Sequence, residues 1–439
     1  MPLDPSAVSR WIEPLVRSPD EIADLFVENR RETVLEWRDG QVARSRVART
    51  EGVAARWRRG GEERLVFLSG SEEATAREAL RRLQGLLSRP ALPARPAAMV
   101  EAAPEEPPPV ERWRRRLAAL FSRHAPRHRF RWTLLEIRRE VFPARAAASA
   151  HARRLLSLEG TFTAASRRGD ELRAFAFHAP ESEATADELK RALSRAAEPR
   201  DAPLPCPAGA VNAILAGGCA AVLFHEILSH PLEGGVVSPL STLSAARLAA
   251  ADVDAKDDAT RLDLFGGYER DDEGTSPRPV KLLDSGRLAG RLTTRSSVER
   301  GGSNGHGRRG DPSDAPLARS SNVVVAPGNV PREELTRRLA DGLWIEDFDG
   351  GSAELASGTF RLKFPRARRI RRSRSADELG PGILAGEILA ALAGIETGLG
   401  REAHPYRALG WCSREGQILP VQGSAPDLLV RGLSVRPLL

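Results

Sequence analysis

The sequence predicts an α+β chain: a mixed N-terminal region over residues 1–200, then a mostly antiparallel β domain over 201–439, entered through a buried helix carrying His-Glu-x-x-x-His. Short β-patterned runs bounded by turn residues recur along the chain, and charged helical patterns separate some of them. A Pro/Ala-rich stretch, "SRPALPARPAAMVEAAPEEPPPV" (88–110), reads as an extended linker. At 439 residues, 41% of them hydrophobic, the chain can bury more than one core.

Taken in order, "ADLFVEN" and "ETVLEWRDG" read as strands, followed by "RDGQVARSRVARTEGVAARWRR" with turn signals at Gly40 and Gly52. A charged helix is expected near Glu72–Leu87. After the linker come a helix, the strands "HRFRWTLLEIRREVF" and "ELRAFAFHA", and a helix near Glu183–Ala197. The run "AGAVNAILAGGCAAVLF" (208–224) is almost wholly apolar but too short and interrupted for a membrane span, so it reads as the buried helix. Beyond it, "PVKLLDSGRLAGRLTT" has the pattern of a hairpin turning through Asp284-Ser285-Gly286. Further strands are expected in "SNVVVAPGN", "LWIEDFDG", "TFRLKFPRA" and "DLLVRGLSV", with one or two helices among them and no internal repeat.

Net charge is +7, but the excess is arginine spread along the whole chain rather than a basic patch. The densest run, "FPRARRIRRSRS", alternates like a strand with one wet face and lacks the interleaved aromatics that stack on bases. Nucleic acid is therefore not the expected partner, nor is a membrane. Three cysteines, Cys206, Cys219 and Cys412, are too few for a disulfide framework and fit a reducing compartment. The N-terminus lacks the pattern of a secretory signal, which makes the cytoplasm the expected location.

Chemistry concentrates in "AVLFHEILSHPLEGG" (221–235). Zinc peptidases commonly space two histidines at i and i+4, with the intervening Glu activating water. Here His225 and His230 stand five apart, and on a regular helix their rings would diverge by roughly 140°. Either the helix breaks or the two share no ion. Pro231 supplies a break, since the residue before a proline is pushed out of the α region, so His230 is expected to leave the helix and swing back. The competing reading places His225, Glu226 and His230 at a solvated helix end. Glu233 is either a partner for an imidazole N–H or a helix cap.

Several ordered motifs resemble the TldD/PmbA family, named for a proposed role as modulator of DNA gyrase and regarded as metallopeptidases. "HEILSHPLE" matches its His-Glu-x-x-x-His followed by Glu, and "DDEGTSPRPVKLLDSGRLAG" its acidic Glu-Gly-Thr run. "GHGRRGDPSDAPLARSSNVVVAPGN" carries its Gly-x-Gly-Arg-Arg and Arg-x-x-Asn, and "WCSREGQILPVQGSAPDLLVRGLSV" its cysteine and terminal Gly-Leu-x-Val. The resemblance runs from about residue 205 to the C-terminus. Ser229 and Pro231 stand where the family usually has glycine, and the tail ends in "RPLL".

The resemblance implies one zinc, or another divalent metal, held by His225, His230 and Cys412, with Glu226 as the general base for hydrolysis of peptide substrates. Two imidazoles and a thiolate are ligands zinc prefers. It also implies a dimer, either a homodimer or a heterodimer with a PmbA/TldE-type subunit. The alternatives are a noncatalytic PmbA/TldE-like subunit and a nucleic-acid-associated regulator. Cys219 reads as a small buried side chain and Cys206 has no assigned role. The Gly-rich loops around His306, Arg308 and Arg309 read either as a site for a peptide backbone or carboxylate, or as a solvated turn.

Overall fold

A computed structural model describes residues 3–88, 101–102, 110–125, 127–166, 169–200, 203–250, 252–297, 302–396 and 398–438. The fold is α+β and mostly antiparallel. Its first sheet is built from very long strands in the order Glu62–Ser69, Gln41–Arg59, Glu21–Arg38, His128–Pro143, Ser149–Ser166 and Gly169–Pro180. A short piece, Glu101–Ala102, pairs with Arg49 and Thr50. The linker expected over 88–110 otherwise falls largely outside the described residues.

The two N-terminal strands expected from sequence are one continuous strand, Glu21–Arg38, turning at Asp39–Gly40 into Gln41–Arg59. Gly52 is not a turn. It lies inside the second strand opposite Glu28, where a Cβ would sit 2.7 Å from the Phe67 ring and 2.9 Å from Pro312. Strand Ser149–Ser166 had no counterpart among the sequence expectations. Odd-numbered residues of Glu21–Arg38 face one side of the sheet. There Leu25 and Val27 meet the helices Pro5–Ile12 and Glu73–Leu87, while Leu35 and Trp37 meet Val110–His124 and Thr185–Ala196. Even-numbered Asp24, Phe26 and Glu28 face the other way, toward the C-terminal half.

That second face joins the halves of the chain through buried charge. Asp24 and Arg56 are cross-strand partners, and the Arg56 guanidinium also binds Glu273 at 2.8 Å. Glu28 is the cross-strand partner of Arg139, which reaches Asp272 at 2.7 Å. All six side chains are buried.

The C-terminal half holds an eight-stranded sheet in the order Gly350–Glu354, Thr359–Phe364, Gly382–Glu387, Leu428–Pro437, Gly209–Leu215, Gly342–Ile345, Ala367–Arg371 and Arg374–Leu379. A six-stranded sheet runs Arg287–Leu288, Val280–Asp284, Ala255–Asp257, Asn322–Val325, Gln422–Pro426 and Ala403–Pro405. Two neighbouring pairs are parallel: Gly342–Ile345 with Gly209–Leu215, and Asn322–Val325 with Gln422–Pro426. The Ser285-Gly286 turn has φ of 49° and 72°, as the hairpin pattern requires. The arginine run 366–374 forms the hairpin at one edge of the eight-stranded sheet, where Arg368 and Arg369 pair with Glu346 and Asp377. Charge there blunts an open edge. Among the described residues no helix is long and apolar enough to cross a membrane.

The apolar run 208–224 is not one helix. Gly209–Leu215 is a central strand between Leu428–Pro437 and Gly342–Ile345, the chain turns at Gly217-Gly218, and only Ala220–Phe224 is α-helical. Both faces of such a strand are covered, so its sequence loses the alternation that would distinguish it from a buried helix. At Gly218, φ is 91° and a Cβ would lie 2.4 Å from the His404 carbonyl oxygen, so glycine is required there.

Two buried histidines of the first sheet make stability fall in acid. Burial depresses His151 and His178 to about 4, from an ordinary 6.5; at His151, Asp272 works against that shift. The unfolded chain takes up protons that the fold refuses, so the stabilisation is complete above pH 6.5 and is lost as pH falls toward 4. Each histidine accounts for about 3 kcal/mol over that window. Urea unfolding at pH 7, 5.5 and 4.5 should show the decline, and His178→Gln should flatten part of it. A midpoint independent of pH would contradict the burial argument.

Candidate metal centre

The site is built where Ala220–Phe224 ends. All five of its residues are buried between the two C-terminal sheets, in a core that includes Leu282, Val323, Leu362 and Leu384. Residues His225–Ser229 continue it as a single π turn, closed by the His230 N–H donating to the His225 carbonyl. A turn closed at i→i+5 brings residues five apart back to one side. The two imidazole centroids accordingly lie 4.4 Å apart.

His230 does not leave the α region, contrary to the expectation drawn from Pro231. Its φ and ψ are −56° and −46°. In a regular α-helix the Pro231 ring would meet the Ile227 carbonyl. The wide turn, followed by a 3-10 turn over His230–Leu232, accommodates the proline, and the chain extends at Glu233 with ψ of 130°. Ser229 is built into the site as well, donating to Asp257 Oδ2 at 3.1 Å.

Cys412 arrives from far away in sequence. It lies on strand Trp411–Arg414, which among the described residues pairs only with Gln417–Pro420, through the turn Glu415-Gly416. Its Sγ is 3.2 Å from His230 Nε2, and one ligand atom from each of His225, His230 and Cys412 falls within 4.8 Å of the others. These three side chains are 1%, 9% and 7% exposed, so the solvated-helix-end reading fails. Cys219 is buried with its thiol on the Ile345 carbonyl, as expected, and Cys206 is buried elsewhere.

The outer ring nitrogens are held. Glu233 Oε1 is 3.3 Å from His230 Nδ1 and accepts the Ser320 N–H at 2.8 Å. Ser320 Oγ lies 3.4 Å from His225 Nδ1 and donates to Asp257 Oδ2 at 2.7 Å. Such partners fix ring orientation and leave the other nitrogens for a metal. Asp257 and Ser320 went unnoticed in the sequence, having no spacing relation to the histidines.

Electrostatics follow from that arrangement. Burial alone would raise the Cys412 thiol, but the His230 charge and hydrogen bonds from both imidazoles hold it well below its usual range. Burial would lower His230, yet the Glu233 and Cys412 charges raise it far above. Against burial, His230 and two arginines bring Glu233 down to about 2. Glu226 is 6% exposed, and burial raises its carboxyl. Among the described residues no hydrogen bond commits that carboxylate; Gly351 passes so close that a Cβ would lie 2.9 Å from Glu226 Oε1.

His306, Arg308 and Arg309 belong neither to a peptide-binding loop nor to a solvated turn. All three are buried. His306 spends its ring nitrogens on Asn304 and Asp257, Arg308 binds main-chain carbonyls, and Arg309 lies over the Phe26 ring beside Asp24. Of the three, Arg309 reaches the N-terminal half, while His306 and Arg308 pin segments of the C-terminal half to one another.

Residues 208–437 match the model of the PmbA/TldA metallopeptidase C-terminal domain. The chain belongs to the PmbA/TldD family. Residues 23–84 match the family's domain 1. A metalloprotease of Methanocaldococcus jannaschii is 29% identical over 49% of this chain and 49% of its own. A zinc metalloprotease TldD homolog of Saccharolobus solfataricus is 25% identical over 52% of each chain. This PmbA/TldD chain spans about half the length of the curated relatives it matches. TldE from Thermococcus kodakarensis shares the fold over 98% of both chains, with a TM-score of 0.72 at 14% identity.

Proposed function

We propose that this chain is a TldD-type zinc metallopeptidase that hydrolyses peptide bonds in short or unfolded peptides. The observation that carries the reading is the π turn, which sets His225 and His230 on one side, facing Cys412 and next to Glu226. The donor set fits zinc: two imidazoles with their outer nitrogens held and a thiolate, leaving a coordination position for substrate or water. An ion held there supplies a Lewis acid that acidifies water and polarises a carbonyl.

The chain's own residues supply the rest. His225, His230 and Cys412 would hold the ion, while Glu233 and Ser320 orient the two rings. Glu226 would accept the proton of the attacking water on a carboxylate oxygen and return it to the leaving amine nitrogen. Its raised carboxyl suits a group that must both take and give. The proposal extends to a cytoplasmic chain with a division near residue 200, working as a homodimer or with a TldE-type subunit.

Protein purified without chelator should contain about one zinc or similar divalent ion per chain, and Cys412→Ala should lose most of it. Elemental analysis reads both. Equal metal in the two proteins would remove Cys412 from the site. A metal-free wild type would favour the noncatalytic role instead.

A further inference from the structure

The hairpin bearing Cys412 is a weak platform for a ligand. Among the described residues its two strands pair with each other and with no other strand, and an isolated hairpin is marginally stable in water. Something else must hold it against the histidines, and Arg319 reaches it from the neighbouring segment. That side chain is 1% exposed. One terminal nitrogen donates to both the Cys412 carbonyl and Sγ, each at 3.3 Å, and the other donates to the Gln417 carbonyl across the hairpin at 3.3 Å. Its Nε faces Glu233 Oε1 at 3.7 Å.

One guanidinium therefore spans both strands of the hairpin, the thiolate sulfur and the carboxylate that orients His230. The next residue, Ser320, meets His225 and Asp257. Arg319-Ser320 thus joins the histidine side and the cysteine side of the centre, beside Arg414 of the hairpin itself, which pairs with Glu233. A planar fork with several fixed donors suits such bridging, and a single ammonium cannot serve all these acceptors.

We propose that Arg319 is a positioning residue of the metal centre, registering the Cys412 hairpin against the histidine turn and aiming Sγ at the ion. The proposal rests on the metal-centre reading above. It assigns Arg319 no contact with substrate.

The test uses full-length protein, with zinc(II) competed against a chelating dye and cobalt(II) as a spectroscopic probe of the thiolate bond. Arg319→Lys and Arg319→Met should weaken zinc binding about 10- to 100-fold and diminish the sulfur-to-cobalt charge-transfer band. Combining Arg319→Lys with Cys412→Ser should cost little beyond Cys412→Ser alone, because the arginine acts through that sulfur. If Arg319→Met fails to fold, Arg319→Lys decides. Wild-type affinity and band in a folded Arg319→Lys would overturn the proposal while leaving the metal centre standing, and so would a loss fully additive with Cys412→Ser. A wild type that binds neither ion would bring down the metal-centre reading and this proposal together.

Discussion

Glu226→Gln should keep its fold and its ion while peptide hydrolysis falls by about 10² to 10⁴. The substitution removes the only carboxylate beside the histidines that no hydrogen bond among the described residues commits; Glu233, by contrast, is spent on His230, Ser320 and two arginines. The amide has nearly the same shape, and Glu226 is not one of the three clustered donors, so metal content should match wild type. Cleavage of an unstructured peptide is measured with and without a TldE-type subunit, beside elemental analysis of the same samples. Full activity in a metal-loaded Gln variant would dismiss Glu226 as the base. Absence of cleavage by wild type in both settings would leave a metal-stabilised scaffold.

Arg56→Met should cost about 3 to 5 kcal/mol of stability, the usual penalty for stranding a buried counter-charge. Arg56 is fully buried and serves Asp24, within the first sheet, and Glu273, from the C-terminal half. Burial works against Asp24, but Arg56 and Arg309 hold its carboxyl below the usual range, so losing Arg56 leaves a fully buried carboxyl with Arg309, 3.5 Å away, as its remaining partner. Arg59→Met supplies the control, since its pair with Asp20 is exposed on both sides and water screens pairs of that kind. Guanidinium unfolding compares the two. Equal losses would mean that the buried pair does not couple the halves.

The gathering of His225, His230 and Cys412 beside Glu226 was more legible than the scaffold that brings them together, because their chemistry is restricted and ordered motifs accompany them. The way His230 returns was misjudged: proline's effect on the preceding residue pointed to an escape from the helix, whereas widening one turn achieves the same convergence with His230 still αR. The run 208–224 was misread because a doubly covered central strand and a buried helix have the same composition, and only Gly217-Gly218 marks the border. His306, Arg308 and Arg309 lie in a glycine-rich segment of the kind that usually lies at the surface; their burial depends on Asp24, Asp257 and Asp272, which come from distant strands and loops. Such long-range pairing has no local signature. Asp257 stayed hidden for the same reason, and Arg319, although it opens the Arg-x-x-Asn motif, gave no sign of its link to Cys412.

The π turn also fixes the length of this segment. Closing at i→i+5 houses one more residue than an α turn does, so His-Glu-x-x-x-His here is equivalent to the four-residue spacing with a single insertion absorbed. Deleting Leu228 would restore that shorter spacing on a regular helix. A regular α turn would also bring the Pro231 ring against the carbonyl of the residue four before it, a clash that the wide turn accommodates. Substitution within Ile227–Ser229 changes one contact, whereas deletion removes the wide turn that the proline requires. The number of residues between the two histidines is therefore constrained more tightly than their identity.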